Sequence, residues 1–126
     1  MELSDLRVLV VEDESDSALV ISSALQYGGV RTWSAASAEE GLLLLDSVQP
    51  NLLLVDLALP GMDGWEFLKQ IQANPATENI PAVVVSAYLT PTVAKKAIEA
   101  GFRACFPKPI DTTLLVRQLI DVVNER

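Results

Sequence analysis

The sequence contains no histidine, and this absence excludes several kinds of site. Histidine metal ligands, catalytic triads built on histidine and phosphohistidine carriers are all excluded. The single cysteine, Cys105, cannot form an internal disulfide and fits a reducing compartment. Nine basic residues stand against 17 acidic ones, giving a net charge of −8. The chain therefore lacks the basic patch with which proteins bind nucleic-acid phosphates.

Long apolar segments are missing as well. No run approaches the roughly 18 residues that a membrane span requires, and residues 1–5 lack the layout of a secretory signal peptide. We expect a cytoplasmic protein with neither membrane nor nucleic-acid partners. Half of the 126 residues are hydrophobic and 21% are charged, as in an ordinary globular protein. Without an internal repeat or linker, the chain is expected to form one domain, residues 1–126, with no output domain.

Apolar, β-rich runs alternate with stretches of helical periodicity along the chain. The five runs lie at about 7–11, 30–35, 52–56, 81–86 and 103–107. This alternation predicts a doubly wound α/β fold, a (βα)5 unit with a five-stranded parallel sheet between two layers of helices. Of the common strand orders, 2-1-3-4-5 suits five strands. It places a ligand-binding crevice between the first and third strands.

Capping residues mark where the helices begin and end. Ser37 and Asp63 each precede a glutamate by three residues, which is capping-box spacing. Thr90 stands before a proline, and Asp111 precedes the last helix. Glycines at 28–29 and 101 fall where helices should end.

Polar or charged residues stand at the ends of four of the apolar runs. They are Glu12 and Asp13 after the first, Asp56 closing the third, Ser86 closing the fourth and Lys108 after the fifth. The carboxyl ends of parallel strands share one edge of a sheet, so we expect these side chains to form one site. An ionised carboxylate at the end of a buried strand is costly unless a cation or a hydrogen-bond donor meets it.

This combination of side chains favours phosphoryl chemistry. Converging carboxylates raise one another's proton affinity, so they share protons or bind a cation. Oxygen ligands without histidine or thiolate favour Mg²⁺, or Mn²⁺ as a substitute. With the ammonium of Lys108 and the hydroxyl of Ser86 nearby, Asp56 could accept a phosphoryl group, because phosphoryl transfer depends on positioning and charge neutralisation. Aspartyl phosphates are established covalent intermediates.

The chain resembles the receiver domain of two-component response regulators across essentially its whole length. The resemblance rests on four pieces in order, which are Val8-Leu9-Val10-Val11-Glu12-Asp13, Asp56-Leu57-Ala58-Leu59-Pro60-Gly61-Met62-Asp63-Gly64, Val84-Val85-Ser86-Ala87, and Ala100-Gly101-Phe102 leading to Lys108-Pro109. It implies a flavodoxin-like fold and a phosphorylation-dependent signalling switch. By this resemblance Asp56 is the phosphoacceptor, Ser86 and Lys108 hold the phosphoryl oxygens, and the Lys108-Pro109 bond is cis.

The resemblance also implies a metal site and protein partners. The Mg²⁺ ligands would be Asp13, Asp56, the backbone carbonyl of Ala58, and Glu12 directly or through water. A sensor histidine kinase or a phosphotransfer protein would supply the phosphoryl group, and a downstream protein would read it. Apart from the resemblance, the last predicted helix carries an apolar stripe wider than one core face needs. Its excess is a candidate partner or homodimer surface, on the face formed by the fourth helix, the fifth strand and the fifth helix.

Two departures from the family pattern affect how the signal would be transmitted. Cys105 stands three residues before Lys108, where the family usually carries tyrosine or phenylalanine. Phe106 should point to the opposite face of the sheet because side chains alternate along a strand. Tyr88, two residues beyond Ser86, is a candidate substitute. The apolar Ala58 with the bulky Tyr88 predicts slow self-dephosphorylation.

Two other functions remain open on the sequence. One is a receiver-like binding module that works without phosphorylation, for which Cys105 and Glu12 are the support. The other is a phosphohydrolase of the haloacid dehalogenase type, but Asp56-Leu57-Ala58 lacks the second acid of that class. Walker-type and dinucleotide-binding glycine loops are absent. We expect no enzyme activity beyond self-phosphorylation and self-dephosphorylation of Asp56.

Overall fold

The structure is a computed structural model that describes residues 5–124. Five strands alternate with five helices. In chain order they are β1 (Arg7–Val11), α1 (Ser15–Tyr27), β2 (Arg31–Ala35), α2 (Ala38–Val48), β3 (Leu52–Asp56), α3 (Gly64–Ala73), β4 (Ala82–Ser86), α4 (Pro91–Ala100), β5 (Ala104–Pro107) and α5 (Leu115–Asn124). Each apolar run identified in the sequence agrees with its strand to within about one residue at either end.

The strands form one parallel sheet in the order β2-β1-β3-β4-β5. The predicted doubly wound α/β fold and its strand order are therefore confirmed. The chain's progression across the sheet reverses between β1 and β3, where Val11 lies beside Val55. In sheets of this kind the reversal opens a crevice at the carboxyl ends of the strands.

The strands at the centre of the sheet are held by core packing on both faces. β3 and β4 are buried along their whole length, as their unbroken aliphatic composition predicts. One buried cluster lies under α2, α3 and α4 and includes Phe67 and Phe102, whereas the other lies under α1 and α5 and includes Leu25 and Leu119. Each fully buried aliphatic side chain contributes roughly 1.5–3 kcal/mol. The strand ends that carry the polar residues are thus fixed by a rigid support.

Side-chain caps begin three of the helices where the sequence predicts them. The hydroxyl of Ser37 accepts the Glu40 N–H at 3.1 Å, and the carboxylate of Asp63 accepts the Glu66 N–H at 2.9 Å. Thr90 caps α4 in the same way. The last helix begins later than Asp111 suggests. Asp111 instead caps the preceding turn, where its carboxylate accepts the Thr113 N–H at 3.0 Å.

The wide apolar stripe of α5 is used mostly for packing. Leu115, Leu119 and Val122 are buried in the α1/α5 cluster, whereas Leu114 just before the helix is 44% exposed. The Lys108-Pro109 peptide bond that leads into this region is cis, as the resemblance implies. Across residues 5–124, no helix combines the length and the apolar character needed to cross a membrane.

Candidate functional site

Lys108 joins two of the predicted acidic residues at the carboxyl edge of the sheet. Its ammonium nitrogen lies 2.5 Å from Oε1 of Glu12 and 3.0 Å from Oδ2 of Asp56. The backbone N–H of Lys108 donates to the carbonyl oxygen of Ser86 at 2.9 Å. The ends of β1, β3 and β4 and the residue after β5 are therefore connected through hydrogen bonds, as their shared edge predicts.

The three predicted carboxylates form a tight cluster. One oxygen from each of Glu12, Asp13 and Asp56 lies within 4.8 Å of the other two. Glu12 and Asp56 are buried, with 3% and 7% of their surfaces exposed, whereas Asp13 is exposed at the rim. Two ligand groups thus lie at the floor of the crevice and one at its mouth.

Glu12 has a polar atom whose hydrogen-bonding needs are unmet. Its Oε2 is buried and has no hydrogen-bond partner among the described residues. An unsatisfied buried oxygen costs free energy, more so if it is charged. A hard divalent cation bound among these three acids would satisfy it, and Mg²⁺ binds oxygen ligands of this kind through one or two carboxylates. The donor set therefore fits Mg²⁺.

The two buried acids, Glu12 and Asp56, have pKa values shifted in opposite directions. Burial, together with the neighbouring Asp56 carboxyl, raises the pKa of Glu12 from 4.5 to about 7 against the opposing effect of Lys108. Burial also pushes the pKa of Asp56 upward. The neighbouring Glu12 carboxyl and the hydrogen bonds from the Ala58 N–H and from Lys108 outweigh it, so the pKa of Asp56 lies below its ordinary value. Asp56 is therefore ionised at neutral pH, as a carboxylate nucleophile must be.

Lys108 remains cationic in spite of its partial burial. Burial lowers the pKa of Lys108, but hydrogen bonds to Glu12 and Asp56 raise it more, so the net shift is upward. A fixed ammonium beside an ionised aspartate provides one positive charge for an incoming phosphoryl group.

The backbone around Asp56 is closely packed. The N–H of Ala58 donates to Oδ1 of Asp56 at 3.0 Å, which fixes the orientation of the carboxylate. The start of α3 passes so near that a Cβ at Gly64 would lie 2.5 Å from the backbone oxygen of Asp56. Gly64 is therefore required by this close approach.

The crevice holds two adjoining spaces. A cavity of about 230 Å³ is lined by Asp13, Asp56, Ala58, Tyr88 and Lys108, together with Glu14 and Ala87. Beside it runs a wider groove of about 660 Å³, which shares Asp13, Ala58 and Tyr88 and also contacts Ser86. The smaller cavity is bordered by both the ionised Asp56 and the Lys108 ammonium.

One member of the site was not identified from the sequence. Oε1 of Glu14 lies 3.7 Å from the Lys108 ammonium, although the side chain is 69% exposed. Its position directly after Glu12 and Asp13 is the only sequence signal, and the same position also suits a helix start. Glu14 is in fact the residue that precedes α1, but its side chain makes no capping hydrogen bond.

The residues that depart from the family pattern lie as alternation predicts. Cys105 is half-buried beneath α4, with Sγ 4.0 Å from the carbonyl oxygen of Ala94. Phe106 packs on the other face, against the α1/α5 cluster. Tyr88 lies at the crevice with 80% of its surface exposed.

Comparisons with family models, curated proteins and solved structures all identify the same family. The model of the response regulator receiver domain matches residues 8–120. Sporulation initiation phosphotransferase F of Bacillus subtilis is 30% identical over 105 residues, which cover 83% of each chain. The sensor histidine kinase CheAY of Helicobacter pylori is 29% identical over 122 residues, but these form only 15% of its length. A putative response regulator from Chloroflexus aurantiacus superposes with a TM-score of 0.89 at 27% identity, covering 95% of this chain and 98% of that one.

Proposed function

Since this chain belongs to the response regulator receiver domain family, we propose that it is a phosphorylation-dependent signalling switch that accepts a phosphoryl group on Asp56. One observation carries the proposal. The ionised Asp56 lies 3.0 Å from the Lys108 ammonium, and its carboxylate clusters with those of Glu12 and Asp13 at the open edge of the sheet. A nucleophile, a fixed cation and a metal-binding acid cluster are the parts that phosphoryl transfer requires.

Each residue of the site would have its own role in phosphoryl transfer to Asp56. An oxygen of Asp56 attacks the phosphorus, the bond between phosphorus and the donor's nitrogen or oxygen breaks, and the leaving group takes that electron pair. Lys108 exchanges its contact with Asp56 for the phosphoryl oxygens, and the Ser86 hydroxyl donates to one of them. Bound Mg²⁺, held by Asp13, Asp56, the Ala58 carbonyl and Glu12 directly or through water, would neutralise the remaining phosphoryl charge.

The partners follow from this chemistry. A sensor histidine kinase or a phosphotransfer protein supplies the phosphoryl group, and a downstream protein reads the changed surface. The match to a segment of a sensor histidine kinase supports this pairing of functions. We place the protein in the cytoplasm, where receiver domains typically work. A homodimer through α4, β5 and α5 remains a prediction, for which the exposed Ile98 on α4 offers an apolar contact.

Small-molecule phosphorylation tests the proposal. The protein is incubated with Mg²⁺ and acetyl phosphate, and its intact mass is then measured. We expect a gain of one phosphoryl group that disappears in Asp56→Asn and persists in Asp46→Asn, since Asp46 is exposed on α2 and does not line the cavity at Asp56. No gain in the unmodified sequence, or an equal gain in Asp56→Asn, would count against the switch.

A second candidate is a binding module that signals without phosphate. Cys105 favours it, because the face of β5 toward α4 carries a small side chain where receivers usually carry an aromatic one. The two functions differ in one measurable property. A downstream partner of the switch binds the beryllofluoride complex more tightly than the free protein, whereas a partner of the module binds both equally.

A further inference from the structure

We propose that Tyr88 is the residue that reports phosphorylation in this protein, by closing over the groove beside Asp56. The inference rests on the proposed function, because phosphorylation supplies the signal that Tyr88 would report. Four observations lead to it: the side chains of β5, the position of Tyr88, a hydrogen bond to Ser86, and the shape of the groove.

No side chain of β5 can serve as an aromatic reporter of phosphorylation. Cys105 faces the cluster under α2, α3 and α4, but it is small and already packed beneath α4. Phe106 is large enough, but it packs into the cluster under α1 and α5. Because alternate residues of a strand face opposite sides of the sheet, Phe106 cannot reach the crevice without a shift in strand register.

Tyr88 lies beside Asp56, where an aromatic side chain could report phosphorylation. It borders both the cavity at Asp56 and the adjoining groove, and its ring is one of the most exposed large side chains of the described chain, at 80%. An exposed tyrosine ring at the mouth of a groove with partly apolar walls can bury apolar surface by entering it. Its surroundings therefore provide a second, more buried position.

A hydrogen bond links Tyr88 to the phosphoryl site. The backbone N–H of Tyr88 donates to the hydroxyl oxygen of Ser86 at 3.1 Å. When that hydroxyl turns toward a phosphoryl group on Asp56, it moves between staggered rotamers about 120° apart. This rotation breaks the 3.1 Å contact, so the start of the loop between β4 and α4 is released. The signal thus passes from the hydroxyl to the backbone of Tyr88 in a single contact.

The groove has room for the ring. Its volume is about 660 Å³, and its apolar walls come from Leu57, Leu59, Pro60, Trp65 and Val93. Most of these residues belong to the layer of α3 and α4. A ring that enters the groove therefore acts on the same layer as a residue at position 105 would. Trp65 is held edge-on against Phe102, with ring centroids 6.0 Å apart, and so forms a fixed wall.

Fluorescence of Trp65 tests the closure. In Trp33→Phe the only remaining tryptophan is Trp65, and its accessibility is measured by acrylamide quenching with and without Mg²⁺ and beryllofluoride. Binding of beryllofluoride is verified separately by fluorine NMR. We expect the quenching constant to fall about twofold on binding, because the closed Tyr88 ring covers Trp65. The fall should remain when Tyr88→Phe is added and vanish when Tyr88→Ala is added.

A matched control uses the other highly exposed tyrosine. Tyr27 on α1 is 96% exposed and lies in the opposite layer, so Tyr27→Ala should leave the fall intact. If beryllofluoride binds but quenching does not change, or changes equally in the Tyr88→Ala protein, the proposal is overturned while the switch function stands. If beryllofluoride does not bind and acetyl phosphate adds no mass, the switch function itself fails and this proposal with it.

Discussion

The raised pKa of Glu12 predicts that the metal-free protein loses stability as the pH rises. Glu12 has an ordinary pKa of 4.5 in the unfolded chain and of about 7 in the folded one. The folded state therefore binds the Glu12 proton more tightly than the unfolded state. The resulting stabilisation is fully present below pH 4.5 and is lost as the pH rises through about 7. Replacing Glu12 by glutamine, which cannot ionise, should remove this dependence.

The size of the effect follows from the shift. Each pKa unit corresponds to about 1.4 kcal/mol, so the rise from 4.5 to about 7 sets an upper bound of about 3.5 kcal/mol. We expect a loss of about 1 to 2 kcal/mol between pH 5 and pH 8, because part of the effect falls outside this pH range and water at the open crevice screens the site. Few other side chains titrate between pH 5 and pH 8. The chain has no histidine, the pKa of Asp56 lies below 3.8, and that of Lys108 lies above 10.5.

Urea unfolding in EDTA at several pH values measures this dependence. The free energy of unfolding should fall with pH in the unmodified protein and stay flat in Glu12→Gln. Adding Mg²⁺ at pH 8 should restore stability to the unmodified protein, because the metal binds the ionised carboxylates of the folded state only. The reasoning is refuted if the unmodified protein is equally stable at pH 5 and pH 8, or if Glu12→Gln declines in parallel with it.

Three further predictions concern the metal, the phospho-form and the backbone. Asp13→Asn should weaken Mg²⁺ binding by more than about tenfold in calorimetric titration, whereas Asp16→Asn on the exposed start of α1 should not. Ala58→Asn should shorten the lifetime of the phospho-form about tenfold, measured by phosphate release, because its amide can orient an attacking water. A half-life of only seconds in the unmodified protein would contradict the slow hydrolysis expected. Gly64→Ala should lower the free energy of unfolding by about 2 kcal/mol or more, because the new Cβ meets the Asp56 carbonyl. A loss below about 0.5 kcal/mol would contradict it.

Local signals were sufficient to place the strands and most helix starts. Buried aliphatic runs and capping residues such as Ser37 and Asp63 act within a few positions of the chain. The last helix shows where such signals fail. Asp111 satisfies the turn at Thr113, and the helix begins only when Leu115 enters the core. Tertiary packing decided this boundary, and no capping pattern contains that information.

The convergence of the site could also be predicted, because parallel strands share a carboxyl edge. The contacts that each side chain makes within the site could not be predicted from the sequence. Lys108 and Glu12 lie 96 positions apart in the chain, and their contact depends on the lengths and rotamers of two flexible side chains. The approach of Glu14 to Lys108 depends on how α1 leaves β1, which the sequence does not specify.

Lys108 connects the stability of the resting protein to its proposed switching. In the resting site its ammonium is the cation that meets the buried Glu12 and Asp56. In the proposed switch Mg²⁺ would neutralise these carboxylates, and phosphorylation would offer Lys108 a phosphoryl group with more charge than a carboxylate carries. The ammonium can leave the acids only when another cation replaces it, because an unpaired buried carboxylate is costly. Movement of Lys108, binding of Mg²⁺ and ionisation of Glu12 would therefore be coupled in the proposed switch. The pH dependence of the metal-free protein reports one part of this coupling, the ionisation of Glu12, without any phosphodonor.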